Sequence, residues 1–516
     1  MGFIMSGRAI LVVGATGYVG GRLVPLLLDA GFRVRVLGRS AEKLRCRPWS
    51  SHPSVELVAG EVGDLAVLRE AASGCWAAFY LIPAGEGEAK NPSTIAVKAA
   101  GNMAMAAASA GLDRIITLAM RQSDKRCSQN HRRQSNSRVV EALSSGPVPV
   151  TILRVGMILG AGSVFFEILR HLVNSSPLLI LPSWADWPCQ PIAIENVLTY
   201  LIKCLTAAET VGCSYEVAGP EVITFRQLID IYAEESKRSR PKKVHLPFVA
   251  LRLSCYWIHL FTPVPFSIAK SVIRRLRWQD LGSEHRIRSI IPQDLLSCRQ
   301  TISNCLAELA QHRVETCWAD AGVLSPPKWL RCETTDYREG VILECGYRMR
   351  LRAQAEDLWG LIARVGGSTG WYHADILWQC RGWLDRILGG VSLLRGRRHP
   401  SELRVGDVLD FWRVLEIERP RHLVLGAEMK TPGEAILEFR LITEGDGTCE
   451  VQQRSRFFPK GVWGVVYWYA LYPFHQWIFR GMLNNLAREV GKPVIMRPRR
   501  YTPKLPVACR FDPAAD

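Results

Sequence analysis

Apolar residues follow two patterns along this chain, and the change from one to the other divides it. In the first part, continuous apolar runs alternate with helix-like stretches. Ile10–Val13, Val34–Leu37, Val55–Ala59, Ala77–Ile82 and Arg114–Leu118 read as strands buried on both faces. LVPLLLDAG, ended by Gly31, reads as a helix, as do Ala66–Ala72 and Ile95–Ala110. Such alternation predicts a parallel, doubly wound α/β sheet. From Val341 the period becomes two. ILECGYRMRLR, FWRVLEIE, HLVLGAEM, AILEFRLIT and CEVQQRSRFF read as strands. Turn residues at Arg419–Pro420, Pro432–Gly433 and Glu444–Gly447 separate the later ones. An antiparallel meander with one wet face follows from that pattern. AEDLWGLIARVGG and Val462–Val490 read as helices within it.

Between the two parts lies the charge run KRSRPKK, followed by LPFVALRLSCYWIHLFTPVPFSIAKSVIRRLRWQD. Arg252, Pro263 and Pro265 break the second stretch too often for a membrane span. It reads as two short helices capping a substrate crevice. Cations on both flanks keep peripheral contact with anionic lipid open. SPPKW has the Pro content of a boundary. The expected layout is a nucleotide-binding domain over 6–235, a helical extension and linker over 236–330, a second domain over 331–497 and a tail over 498–516.

The first turn carries the clearest chemistry. In RAILVVGATGYVGGRL the glycines Gly14, Gly17 and Gly20 stand between a buried strand and a helix. Gly14 permits a tight turn, Gly17 lets backbone approach a pyrophosphate, and Gly20 lets the helix pack closely on the strand. Thr16, Tyr18 and Val19 complete the loop, whose helix end offers amide donors and a positive dipole. After the second strand come Gly38, Arg39 and Ser40, with Lys43 a turn later. No acidic residue is there to accept from a ribose hydroxyl. A guanidinium and a hydroxyl suit a 2′-phosphate, so NADP is the expected cofactor, with NAD as the alternative. Ligands in such sheets lie at the carboxyl ends of strands, which puts Glu61 and Val62 near the adenine and Leu81 and Ile82 near the nicotinamide.

GATGYVG, the Arg after the second strand, AFYLI, VPVTILR and QPIAIENVLTYL together resemble the atypical short-chain dehydrogenase/reductase superfamily. The branch is that of NmrA-like regulators and the nucleotide-binding accessory subunit of complex I. The resemblance implies a Rossmann fold and NAD(P) binding over roughly the first three-fifths of the chain. Active members carry a Ser after the fifth strand and Tyr-x-x-x-Lys at the next helix, where the Lys cation acidifies the Tyr phenol. The matching segment here is SQNHRRQSNSR, with Gln134 at the Tyr position, Arg138 at the Lys position and Ala119–Met120 near the Ser. Tyr is absent between Tyr80 and Tyr200. Gln exchanges no proton near neutral pH and Arg stays charged, so no catalytic residue is assigned. His131 reads as a solvated loop residue, and the segment as a basic, mobile lid or anion-facing loop beside the cofactor.

AEDLWGLI and the closing helix resemble the START-like (SRPBCC, polyketide-cyclase-like, helix-grip) fold. LLRGRRHPSELRVGDVLDFWRV and YWYALYPFHQWIFRGML are similar to the START-like domain fused behind atypical dehydrogenases in bacteria. That resemblance implies an α+β domain with a curved antiparallel sheet and an apolar cavity. Trp371, Tyr372, Trp378, Trp412, Trp468 and Tyr469 are candidates to line it around a hydrophobic small molecule. VWGVVYWYALYPFHQWIFRGML reads as a core helix, because its aromatics run through the middle instead of forming end belts.

Composition narrows the function further. Hydrophobic content of 48% and charged content of 22% exclude a disordered chain. The net charge of +17 favours anionic partners. Nucleic acid is not expected among them, since no helix-turn-helix, zinc module or aromatic RNA motif is present. The 15 Cys lack zinc-like spacing, no metal site is supported, and a cytoplasmic setting, at most peripheral to the membrane, is expected. Two function classes follow. One is an NADP-dependent reductase of a hydrophobic carbonyl or enone. The other is a non-catalytic NADP-binding sensor or assembly factor near a membrane complex.

Overall fold

The structure is a computed structural model. It describes residues 8–82, 92–120, 138–175, 178–246, 251–277, 286–321, 327, 329, 342–391, 393–444 and 447–501. The chain forms two compact units, Met1–Gly322 and Val323–Asp516.

The first unit is built on seven parallel strands: β1 (Ala9–Val13), β2 (Val34–Gly38), β3 (Val55–Ala59), β4 (Cys75–Tyr80), β5 (Arg114–Met120), β6 (Val150–Val155) and β7 (Ser214–Val217). Their order is β7-β6-β5-β4-β1-β2-β3. β1 and β4 are buried throughout, as central strands must be, whereas β3 at the edge is only partly covered. Alternate residues of β1 feed two cores. Ile10 and Val12 pack with Leu23, Val24 and Leu27 of helix α1 (Tyr18–Asp29). Leu11 and Val13 pack with Leu68 and Ala71 of α2 (Leu65–Ala72) and Ala100 and Met103 of α3 (Pro92–Ala110). Each fully buried Leu or Val contributes about 1.5–3 kcal/mol. The chain leaves β1 towards β2 and β3 on one side, then crosses to β4 on the other, so the topological switch point lies between β1 and β4.

Strand boundaries shift the expected site slightly. β4 ends at Tyr80, not at Ile82, which leaves Leu81 and Ile82 just beyond the strand. β5 runs on to Met120, so Ala119 and Met120 close the strand instead of following it. The charge run gains structure that its composition hides: Lys242–Leu246 pairs in parallel with Leu178–Pro182. The apolar stretch after it does form two short helices, Leu251–Phe261 and Phe266–Arg277, bridged by Tyr256 and Phe266 with ring centroids 4.5 Å apart. Gly101 sits inside α3 with nothing within 4 Å of where a Cβ would stand. Gly101→Ala should therefore stabilise the first unit by about 0.5–1 kcal/mol, read as a raised urea midpoint with unchanged slope.

The second unit is a seven-stranded antiparallel sheet: β8 (Leu343–Leu351), β9 (Val408–Leu409), β10 (Trp412–Glu418), β11 (His422–Ala427), β12 (Gly433–Glu444), β13 (Thr448–Pro459) and β14 (Val494–Arg500). The order is β9-β10-β11-β12-β13-β8-β14. Five of these strands match the period-two runs. β14 was unexpected and carries the sheet across the expected domain end at 497, to Arg500. Helix α4 (Asp375–Ile387) was also not anticipated, because its first turn is preceded by Ala374 in a left-handed conformation, φ +57°. Helix α5 (Gly461–Val490) continues through Pro473 and lies on β8, β13 and β14. Its reading as a core helix holds for one face, which includes Gly464 and Trp468 in the N-terminal half, and not for the exposed start of the helix. Ile478, Phe479, Met482, Leu483 and Leu486 are buried, whereas Val462 and Trp463 are each 78% exposed. Among the described residues no helix is long and apolar enough to cross a membrane.

Candidate functional site

The loop from β1 into α1 has the geometry its glycines demand. Gly14 takes φ +94°, and a Cβ there would meet the Leu81 carbonyl oxygen at 3.1 Å. A Cβ on Gly20 would stand 2.3 Å from the Gly14 carbonyl oxygen. Gly17 is the N-cap of α1, its amide bonded to the Gly14 carbonyl at 3.0 Å. Neither a capping side chain nor an acidic residue occupies the first turn of α1. The amides of Tyr18, Val19 and Gly20 and the positive end of the helix dipole are thus left for an anion. This cradle at the switch point fits the pyrophosphate of a dinucleotide.

The remaining predicted residues divide by where their side chains go. Arg39 is exposed at the end of β2 and makes no hydrogen bond or ion pair with the described residues. Ser40 caps the next short helix, accepting from the Lys43 amide at 3.1 Å. Lys43, expected among the cofactor-binding residues, has its ammonium buried and donating to the Asp320 carbonyl. Glu61 is exposed and Val62 half-buried beyond the end of β3, and Leu81 and Ile82 are half-buried beyond β4, where the Leu81 amide donates to the Val13 carbonyl at 3.0 Å. Thr16 turns its carbonyl to Arg47 at 2.9 Å. Tyr18 contributes to the loop only through its backbone. Its phenol is buried against Gly160, where a Cβ would meet the hydroxyl at 2.4 Å, and Arg22 lies 5.2 Å from its ring centroid.

Sequence reasoning missed the strap that holds this loop from behind. Thr316 donates to the Tyr18 carbonyl at 2.9 Å, and its methyl fills the space over Gly21, where a Cβ would be 2.5 Å away. Arg47 pairs with Asp320 at 3.3 Å, both buried. The doubled glycine, Gly20–Gly21, was the available signal: one serves the strand and the other the strap.

Among the described residues, no phenol beside the loop is poised to exchange a proton near neutral pH. Burial pushes the phenols of Tyr18 and Tyr80 well above the usual range. Ala119 and Met120 lie where β5 ends. Arg138 is exposed, while His131 and Gln134 lie outside the described residues.

The second unit contains a cavity of about 270 Å³. Of the aromatics expected there, Trp378, Trp412 and Trp468 line it, joined by Phe457, Tyr467 and Phe479. The other three do not. Trp371 is buried behind Trp378 and Trp412, Tyr372 donates its hydroxyl to the Leu361 carbonyl, and Tyr469 is 62% exposed on the outside of α5.

A doubly wound parallel sheet with a glycine cradle at its switch point defines the first unit as a Rossmann-type NAD(P)-binding domain. Residues 6–293, more than half of the chain, match the model of the NmrA-like family, and the chain belongs to that family. Residues 339–482 match a second family model, described as a protein of unknown function (DUF2867). The chain is 26% identical over 283 residues to the (4-alkanoyl-5-oxo-2,5-dihydrofuran-3-yl)methyl phosphate reductase of Streptomyces griseus, covering 55% of this chain and 90% of that protein. Among solved structures it is similar to the triphenylmethane reductase of Citrobacter sp., at 19% identity and a TM-score of 0.48, over 58% of this chain and 99% of that one. It is also similar to WbmG of Bordetella bronchiseptica in complex with NAD, at 15% identity and a TM-score of 0.48, over 62% and 98% of the two chains.

Proposed function

We propose that the first unit prefers NADP and that the protein reduces a hydrophobic carbonyl or enone. The observation that carries the cofactor half is Arg39, an uncommitted guanidinium at the end of β2 where an NAD site would place a carboxylate. When bound, the nicotinamide would supply the hydride. The chain's own part is to hold the pyrophosphate on the amides after Gly17 and the 2′-phosphate on Arg39. With Gln134 and Arg138 at the Tyr and Lys positions, the proton comes from water or from the substrate. The name of the Streptomyces griseus relative, with an alkanoyl group and an oxo group in its substrate, supports this substrate class. The START-like reading of the second unit gives that unit the role of presenting the apolar substrate from its cavity.

Ala119 and Met120 at the end of β5 favour a second reading, in which NADP is bound and sensed but not turned over. Steady NADPH oxidation with members of a quinone and enone panel is expected under the first reading and would eliminate the second. The cofactor half is checked by calorimetric titration. Arg39→Ala should weaken NADPH about 10–100-fold, the loss of a charge-assisted contact, and leave NADH within about threefold. Equal losses for both nucleotides would refute the assignment of Arg39 to the 2′-phosphate.

A further inference from the structure

The cavity of the second unit is not uniformly apolar. Three of its lining side chains carry buried N–H donors that the fold does not use. The indole nitrogens of Trp378 and Trp412 have no hydrogen-bond partner among the described residues, although the two side chains are 9% and 4% exposed. Arg381 donates Nη2 to the Lys430 carbonyl at 2.9 Å and sets Nη1 3.7 Å from Asp385, but its Nε has no partner. Trp371 next to them shows what this domain does with an indole that only packs: its nitrogen donates to Asp410 at 3.0 Å. A buried donor left unmade keeps its full desolvation penalty, so three around one cavity call for an acceptor.

The three belong to one corner of the cavity. Trp378 and Arg381 are three residues apart on α4 and so share a face. The Trp378 and Trp412 rings both pack on Trp371, at 5.4 and 6.1 Å, and both on Phe411, at 5.9 and 5.8 Å. The lining includes neither Asp nor Glu. Tyr467 and His475 are the other ionisable side chains of the lining; burial holds the imidazole down at about 4, so Arg381 is the cation of the site. The lining also includes Phe457, Trp468, Ile478 and Phe479, an apolar wall. At about 30 Å³ per water, the space equals that of roughly nine waters, enough for a small organic ligand. Leu377 and Phe474 line both this cavity and an open surface groove with Ile376 and Trp477, which gives an apolar way in.

We infer that this cavity binds a small hydrophobic carboxylate, its apolar body against the aromatic wall and its oxygens on Arg381, Trp378 and Trp412. The inference deepens the ligand-presenting role of the second unit and stands whether or not the first unit catalyses a reduction. The test uses the full chain, with decanoate and decan-1-ol as probes, followed by calorimetry. Decanoate should bind at least tenfold more tightly than the alcohol. Trp378→Phe and Trp412→Phe, which keep the ring and remove the donor, should each weaken decanoate about fivefold, and Arg381→Met at least tenfold, with decan-1-ol unchanged. NADPH titration of the same variants controls for folding and should not move. Equal binding of acid and alcohol, no binding of either, or decanoate affinity indifferent to both Trp→Phe changes would overturn the inference. Loss of NADPH binding in the parent protein, with decanoate still bound, would instead count against the cofactor reading alone.

Discussion

Gly20→Ala is expected to reduce NADPH affinity about 100-fold or more while leaving the second unit folded. The added Cβ would stand 2.3 Å from the Gly14 carbonyl oxygen, 2.9 Å from the Gly14 carbonyl carbon and 3.0 Å from the Ala15 Cα. All three are backbone atoms, so no flexible side chain can yield and the loop itself has to shift. Overpacking of this kind costs about 1–3 kcal/mol in stability, and a displaced cradle also loses the amide contacts to the pyrophosphate. Each 1.4 kcal/mol of lost contact is a factor of ten in affinity. Calorimetric titration with NADPH checks the loss, and Gly101→Ala, a glycine-to-alanine change with open space around it, serves as the matched control. Affinity within threefold of the parent would show that the loop does not hold the cofactor.

The second large effect lies in the antiparallel sheet. Glu438, at the middle of β12 and 7% exposed, is surrounded by three arginines and the His422 imidazole. His422 Nε2 lies 2.8 Å and Arg440 Nη2 3.1 Å from its Oε1, with Arg456 and Arg454 at 3.8 and 3.9 Å from Oε2. Burial acts to raise this carboxyl, but the His422 contact and the fields of Arg456, His422 and Arg440 outweigh it and hold it at about 2. The folded value lies below the unfolded one. The stabilisation is therefore fully present above about 4.5 and is lost as pH falls towards 2. Glu438→Gln should destabilise the second unit by about 3 kcal/mol at neutral pH, since it strands several cations around an uncharged amide. Denaturant titrations across pH should show the parent and variant converging as pH falls from about 4.5 to about 2. A constant difference down to pH 2 would mean that the charge of Glu438 does not stabilise the sheet.

Much of this architecture is legible in the order of residues because two local signals survive without tertiary context. A parallel strand covered on both faces needs every side chain apolar, which is why ILVV and AAFY stand out. An antiparallel strand with one covered face has to alternate, as AILEFRLIT does. The glycine loop is legible for a similar reason: its requirement is steric and lies within a few residues. α4 escaped because the left-handed Ala374 ahead of it hides its start, and β14 because it depends on a distant partner. VIMRPRR is too basic and Pro-broken to read as a strand, and it becomes one by pairing with the free edge of β8.

The candidate sites divide along the same line. The sequence by itself determined the β-loop-α cradle, the absence of Tyr-x-x-x-Lys and the basic residue after β2, since each is a matter of residue type at short spacing. Only the tertiary structure decided what the side chains around them do. It takes Lys43 into the interior onto the Asp320 carbonyl, turns the Tyr18 phenol away beneath Gly160 and leaves Arg39 in the open. It also separates Trp371, whose indole is satisfied by Asp410, from Trp378 and Trp412, whose indoles are not. The physical reason is common to all of them. A long polar or aromatic side chain goes wherever burial and an available partner allow, and those partners lie far away along the chain.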